Sequence, residues 1–213
     1  MLLADNFLFI HIDKSAGTSI QKALASYARP QVDSRLRRRM TWLGPVNRLG
    51  LYRFMEFPEH SHARTIKACL PVDYYARLYK FAFVRNPWDR LVSRYHFLQR
   101  SKERSDYHRI QKLKTFADYL DWEIARGKFY QATYVCDADG QLIVDFIGYY
   151  ERLNEDFGKV ASRLGVNVTL PKANTSKHED YRSYYTPALR ERVAEHYRRD
   201  IELFGYEFDG LKK

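Results

Sequence analysis

Cysteine is nearly absent from this 213-residue chain, which has only Cys69 and Cys136. Two cysteines make no disulfide framework, so a small bridge-held secreted scaffold is excluded and two buried thiols in a reducing compartment are expected. No apolar run approaches the roughly 18 residues of a membrane-spanning helix. The N-terminus lacks a basic leader region and a cleavage site, and its apolar residues are committed to a first strand, so a cytoplasmic protein is expected. In that compartment the glycosylation sequons at Asn167 and Asn174 carry no meaning. Acidic residues are short, 26 against 36 lysines and arginines, which leaves a net charge of +10 and a pI near 9.5. Such a surplus calls for an anionic partner: a nucleic acid, an anionic glycan, a membrane surface or a highly charged nucleotide. Internal repeats and low-complexity tracts are also missing, and no second core is expected. With 45% hydrophobic residues, one globular domain over residues 1–213 is expected.

What is present is organised around the stretch Phe7 to Thr18, FLFIHIDKSAGT. Phe7, Leu8, Phe9, Ile10 and Ile12 form a short apolar run broken only by His11, which suits a buried strand. Residues 13–19 are then small or polar. After Gly17 the apolar residues Ile20, Ala23, Leu24, Tyr27 and Ala28 fall at helical spacing. Strand, tight loop and helix follow, with Lys14 in the loop. Unpaired N–H groups at the helix start, the helix dipole and the lysine charge together suit a phosphate. The ordinary P-loop places its lysine after the second glycine. Here Lys14 precedes the only glycine by three residues, so an ordinary P-loop kinase or ATPase is disfavoured.

Between Pro30 and Gly50 the sequence loses periodicity, and Arg35, Arg37, Arg38, Arg39 and Arg48 crowd it. A solvated basic loop is the simpler reading and a binding surface the alternative. Glu59-His60-Ser61-His62 opens an expected helix through Ile66 and Cys69 that ends before Pro71. Two histidines in this H-x-H arrangement lack a second Cys/His pair at metal-binding spacing, so acid–base work is the better functional expectation.

A second strand-to-helix corner follows. Tyr79 to Val84 is strand-like, Asn86 suits an N-cap and Pro87 a first helical position. Trp88, Leu91, Val92, Tyr95 and Leu98 share one helical face. Arg85 then lies at the carboxyl end of a strand, the edge where open α/β sheets bind ligands. Thr115 with Asp118 opens another helix. The turn at Asp137 to Gly140 has the wrong offsets for a calcium loop. A strand over Leu142 to Ile147, a helix over Glu151 to Leu164, a polar loop with Lys172, Lys177, His178 and Arg182, and a last helix from Thr186-Pro187 to Gly205 complete the chain.

Taken together these stretches resemble the sulfotransferases that use 3′-phosphoadenosine 5′-phosphosulfate (PAPS), in particular the carbohydrate type with small bacterial members. That family's donor loop reads close to H-I-P-K-T-A-G-T-S, and here His11 to Ser19 is HIDKSAGTS. Its second motif reads close to F-x-F-V-R-[ND]-P-W-x-R-x-[VI]-S, and here Phe81 to Ser93 is FAFVRNPWDRLVS. Segments similar to F-I-G-x-x-E-x-L, L-P-x-x-N-x-S and D-x-x-x-F-G-Y follow at Phe146, Leu170 and Asp200, so the likeness runs from Phe7 to Phe208. Asp13 departs from the family's usual proline.

The resemblance implies an α/β fold: a single-domain three-layer sandwich with a central parallel sheet and a P-loop-like strand–loop–helix. It implies that Lys14, Ser15, Gly17, Thr18 and Ser19 hold the donor's 5′-phosphosulfate and that Arg85 and Ser93 hold its 3′-phosphate. His60, with His62 second, aligns with the family's histidine between the two motifs and is the implied general base. It also implies PAPS as donor substrate without a metal, and a hydroxyl acceptor of the carbohydrate class rather than a nucleic acid. The competing expectation is a basic RNA- or anionic-glycan-binding protein without catalysis, with the phosphate loop purely structural.

Overall fold

The computed structural model describes residues 1–28, 57–171 and 179–212. The basic segment Pro30 to Gly50, Glu56, Lys172, Lys177, His178 and the motif at Asn174 to Ser176 lie outside the described residues. In chain order the elements begin with β1 (Leu2–Leu3), β2 (Phe7–Ile10), α1 (Gly17–Leu24), α2 (Ala63–Cys69), α3 (Val72–Arg77) and β3 (Tyr79–Val84). Helices α4 (Pro87–Arg100), α5 (Tyr107–Ile110), α6 (Phe116–Ala125) and α7 (Ala132–Val135) precede β4 (Phe146–Tyr149). Then come α8 (Leu153–Leu164), α9 (Pro187–His196), α10 (Arg198–Phe204), β5 (Tyr206–Glu207) and β6 (Gly210–Leu211). The chain forms two compact units, residues 1–84 with 133–173 and residues 85–132 with 174–213.

The first unit holds a sheet in the order β1-β2-β3-β4. Strands β2, β3 and β4 pair in parallel, with Phe9 opposite Phe81 and Phe81 opposite Phe146. Strand β2 is buried along its whole length, as a parallel strand covered on both faces must be. Phe7, Phe9, Phe81 and Phe83 point to one face, where Ile20 and Leu24 of α1 and Phe157, Val160 and Ala161 of α8 cover them. Lys80 points to the other face, its ammonium 2.8 Å from Asp145 and over the Tyr75 ring of α3. Helix, sheet and helix make the three layers of the expected α/β sandwich.

The parallel core is joined by an edge strand that sequence spacing does not mark. β1 runs antiparallel to β2, pairing Leu2 with Phe9 and Leu3 with Leu8, and the Ala4 N–H closes the turn on the Phe7 carbonyl at 2.9 Å. Two residues are too few to show a period. The expected strand at Leu142 to Ile147 shifts to Phe146–Tyr149, because Leu142 bridges to Cys136 and Asp145 starts the pairing with its N–H on the Lys80 carbonyl. Helix α2 begins at Ala63 rather than Glu59. The Ser61 N–H and hydroxyl both bond the Pro58 carbonyl, which makes a turn there, and His62 is extended at the cap.

In the second unit the expected helix-start signals operate as written. The Asn86 side chain accepts from the Trp88 N–H at 3.0 Å with Pro87 in the first turn, and Thr115 and Asp118 form a reciprocal capping box. Trp88, Leu91, Val92, Tyr95 and Leu98 pack with Phe116, Tyr119, Leu120, Val193 and Tyr197 in a second core. The last helix, expected to be continuous to Gly205, is broken at Tyr197 into α9 and α10. The apolar spacing runs across that break, so periodicity cannot reveal it. Gly165 and Gly205 end their helices in the left-handed conformation.

Glycine substitutions test the packing of β4 against its neighbours. A Cβ on Gly148 would lie 2.4 Å from the Phe83 ring, whereas one on Gly158, exposed in α8, meets nothing within 4 Å. Gly148→Ala is expected to lower stability by about 1–3 kcal/mol. Gly158→Ala is expected to raise it by up to ~1 kcal/mol through helix propensity. Urea unfolding midpoints of the two variants check both signs.

Candidate active site

The loop from β2 to α1 carries the first group of candidate residues. Residues 13–16 form a tight turn in which Lys14 and Ala16 adopt left-handed backbone, φ 66° and 62°. Non-glycine residues rarely do so, and such backbone tends to cluster at ligand-binding and active sites. A backbone that alternates hand in this way directs successive N–H groups into one concavity suited to an anion. At the start of α1 the first N–H groups have no intrahelical acceptor, so Gly17 and Thr18 add donors there. Ser19 differs from expectation in one detail. Its N–H already bonds the Ala16 carbonyl at 3.0 Å, so its hydroxyl is what it can offer. Ser15 is buried, Lys14 and Ser19 are half-buried and Thr18 is exposed.

Gly17 is required by a neighbour rather than by its own dihedrals. The buried His11 imidazole lies against its α-carbon, and a Cβ there would fall 1.8 Å from His11 Cδ2. His11 stacks on Phe9 and meets the His60 ring edge-on at 4.7 Å. Burial, assisted by the neighbouring His60, pushes its pKa from 6.5 down to about 3, against a smaller opposing pull from Asp13. Glu59 Oε1 stands 3.1 Å from His11 Nδ1, but that side chain is 55% exposed and water screens it, so burial decides the charge. His11 is therefore neutral at neutral pH.

His60 and His62 are held differently, as their positions two residues apart require. His60 Nδ1 is 3.1 Å from the backbone carbonyl of His11. A carbonyl can only accept, so Nδ1 carries a proton, and Nε2 is the ring nitrogen left to exchange one. His62 caps α2 and packs on the Tyr134 ring at 4.6 Å, and burial with nearby Arg64 lowers its pKa. Both histidines and the phosphate loop belong to the first unit.

Arg85 and Ser93 belong to the second. Arg85 follows β3 directly and is 4% exposed. Its guanidinium makes two parallel bonds to Asp89, Nε at 2.8 Å and Nη2 at 2.9 Å, the bidentate geometry that holds the fork in one orientation. The side chain of Gln131 takes both main-chain groups of Arg85, accepting from its N–H at 2.9 Å and donating to its carbonyl at 2.8 Å. Ser93 is buried on α4, one helical turn beyond Asp89 on the same stripe. Asp89 could have been found from its i+4 spacing to Arg85. Asp200, an acid among apolar positions of α10, was a weaker signal, and Gln131 carried none. Among the described residues no group of three His, Cys, Asp or Glu side chains could hold a metal.

Residues 3–207 match the family model described as "Sulfotransferase family". The chain belongs to that family. It is accordingly an enzyme, a PAPS-dependent sulfotransferase. It is similar to an "Uncharacterized protein" of Archaeoglobus fulgidus, 35% identical over 114 residues that cover 48% of this chain and 81% of that one. Its fold is similar to that of mouse sulfotransferase SULT7A1 complexed with PAP, with a TM-score of 0.53 and 15% identity over 94% of this chain and 86% of that one.

Two measurements test the loop of this sulfotransferase. Gly17→Ala is expected to destabilise it by about 1–3 kcal/mol, and His11→Ala in the same chain to relieve part of that loss, a coupling that a double-mutant cycle reads directly. Between pH 6.5 and about 3 the unfolded chain binds a proton at His11 that the folded chain refuses. Stability should therefore be fully present above pH 6.5 and fall as pH drops through that window. In His11→Asn the pH dependence of the urea-derived unfolding free energy should be shallower by up to about 1.4 kcal/mol per pH unit.

Proposed function

We propose that the enzyme transfers the sulfuryl group of PAPS to a hydroxyl of a carbohydrate acceptor. We further propose that residues 1–213 form one cytoplasmic sulfotransferase domain that works without a metal. The observation that carries the catalytic reading is the bond from His60 Nδ1 to the His11 carbonyl. It supports the tautomer with its proton on Nδ1, which leaves Nε2 as the nitrogen that takes up a proton, at the end of the strand that opens into the phosphate loop. The match through residue 207 supports the single domain. The likeness of residues 11–19 and 81–93 to the carbohydrate-type motifs, together with the net charge of +10, supports an anionic or sugar acceptor.

In this reading Ser15, Gly17, Thr18 and Ser19 bind the 5′-phosphosulfate through backbone N–H groups and hydroxyls. Arg85 and Ser93 bind the 3′-phosphate. The acceptor oxygen attacks sulfur in line, forming one S–O bond while the bond to the bridging phosphate oxygen breaks. The acceptor's proton passes to Nε2 of His60, and the electron pair stays on the leaving phosphate. Lys14 stabilises the charge that grows there. His62, the second choice for the base, orients the loop or contacts a substrate oxygen.

Transfer of labelled sulfate from PAPS to a panel of sugars and simple alcohols tests this reading. Lys14→Ala is expected to lower turnover by roughly 10²–10³ with only modest loss of product-nucleotide binding. His60→Ala should lower it by roughly 10²–10⁴ at near-normal donor affinity. Full activity of His60→Ala with a dead His62→Ala would exchange the two roles. Adenosine 3′,5′-bisphosphate should raise the melting temperature more than other nucleotides of similar charge. Equal shifts with all of them would favour a simple polyanion binder.

A further inference from the structure

Parallel pairing of β3 with β4 ends at Val84, and pairing with β2 ends at Ala82. One residue further on, Arg85 still has a strand-like partner, supplied by a side chain. Gln131 Oε1 accepts from the Arg85 N–H at 2.9 Å, and Gln131 Nε2 donates to the Arg85 carbonyl at 2.8 Å. A primary amide offers one acceptor and one donor side by side, the same pair a neighbouring peptide would present. Gln131 is 0% exposed. Its own N–H and that of Ala132 are held by the two oxygens of Asp200, at 2.7 and 2.9 Å. Asp200 is also 0% exposed. Burial raises its pKa while the two N–H bonds pull it down.

Arg85 is thus fixed at both ends, its backbone by Gln131 and its guanidinium by Asp89. Without the Gln131 amide, the backbone from which the arginine projects would lose its fixed direction. A bidentate fork misaimed by an ångström loses much of its worth to a phosphate.

We propose that Gln131, seated by Asp200, is a positioning residue for Arg85, and that the enzyme's preference for a 3′-phosphorylated nucleotide depends on it. This rests on the reading of Arg85 as the 3′-phosphate contact. A merely structural glutamine would affect all nucleotides alike, so the readout is a ratio of affinities.

Calorimetric titration of the full chain with adenosine 3′,5′-bisphosphate and adenosine 5′-monophosphate gives that ratio. Gln131→Met keeps the volume without the hydrogen bonds. It should weaken bisphosphate binding by about tenfold, with monophosphate binding changed by less than about twofold. Asp200→Asn keeps the shape but weakens the seat, and it should move the ratio in the same direction by less. It carries the test alone if Gln131→Met does not fold. In the Arg85→Ala background, Gln131→Met should produce no further change in the ratio. Equal losses for both nucleotides in the Gln131 and Asp200 variants would overturn the proposal. If Arg85→Ala abolishes the preference while those variants keep it, the positioning role falls and the reading of Arg85 stands. If Arg85→Ala itself keeps the preference, that reading fails and the proposal fails with it.

Discussion

The turn out of β2 depends on a flat ring lying against a bare α-carbon. His11 can be buried where it is only because Gly17 carries no side chain. That contact lets α1 start close under the end of the strand, and the residues between must then turn sharply. Lys14 and Ala16 take up left-handed backbone in doing so. The His11 carbonyl receives the His60 ring. One residue therefore shapes the phosphate loop with its side chain and fixes the tautomer of the proposed base with its backbone. The lysine's loop and the His60 ring are both set from the same point.

The second unit solves a different problem, that of holding a buried cation. An isolated guanidinium in an apolar surrounding is costly. Asp89 offsets that cost with a bidentate pair. A buried pair of this kind contributes little net stability, and its use lies in fixing direction. The Asp200 and Gln131 bonds extend the same economy to the backbone.

Much of this was legible in the chain, and the gaps have physical causes. The run Phe7 to Ile10 and the change of period after Gly17 declared a strand and a helix. Asn86-Pro87 and Thr115 with Asp118 declared two more helix starts, because capping is local chemistry that short segments carry in themselves. Lys14 and Arg85 stood out at two strand-to-helix corners and the histidines as an H-x-H pair, while Ser93 entered only through the family resemblance. What stayed hidden was set by tertiary contact. The edge strand Leu2–Leu3 is too short to have a period, and the break at Tyr197 interrupts no apolar pattern. Gln131 has no sequence context that marks it, since its significance comes from Arg85, a distant residue in the chain. The closeness of His11 to Gly17 was likewise invisible, although the glycine itself was noted.

The parallel sheet has a consequence for how the protein is made. Phe7 pairs with Tyr79 and Phe81 with Phe146, so no strand of the parallel core finds its partner nearby in the chain. Closing such long loops costs entropy before any pairing is gained, which makes folding slow. While the chain is being synthesised, β2 emerges long before β3, and β3 long before β4. Each is a short, mostly apolar strand, the kind of segment that associates with its like when left uncovered. Until Phe146 to Tyr149 has left the ribosome, the nascent chain exposes apolar strands that the finished enzyme keeps buried, and this interval is when it is most open to aggregation and to chaperone capture.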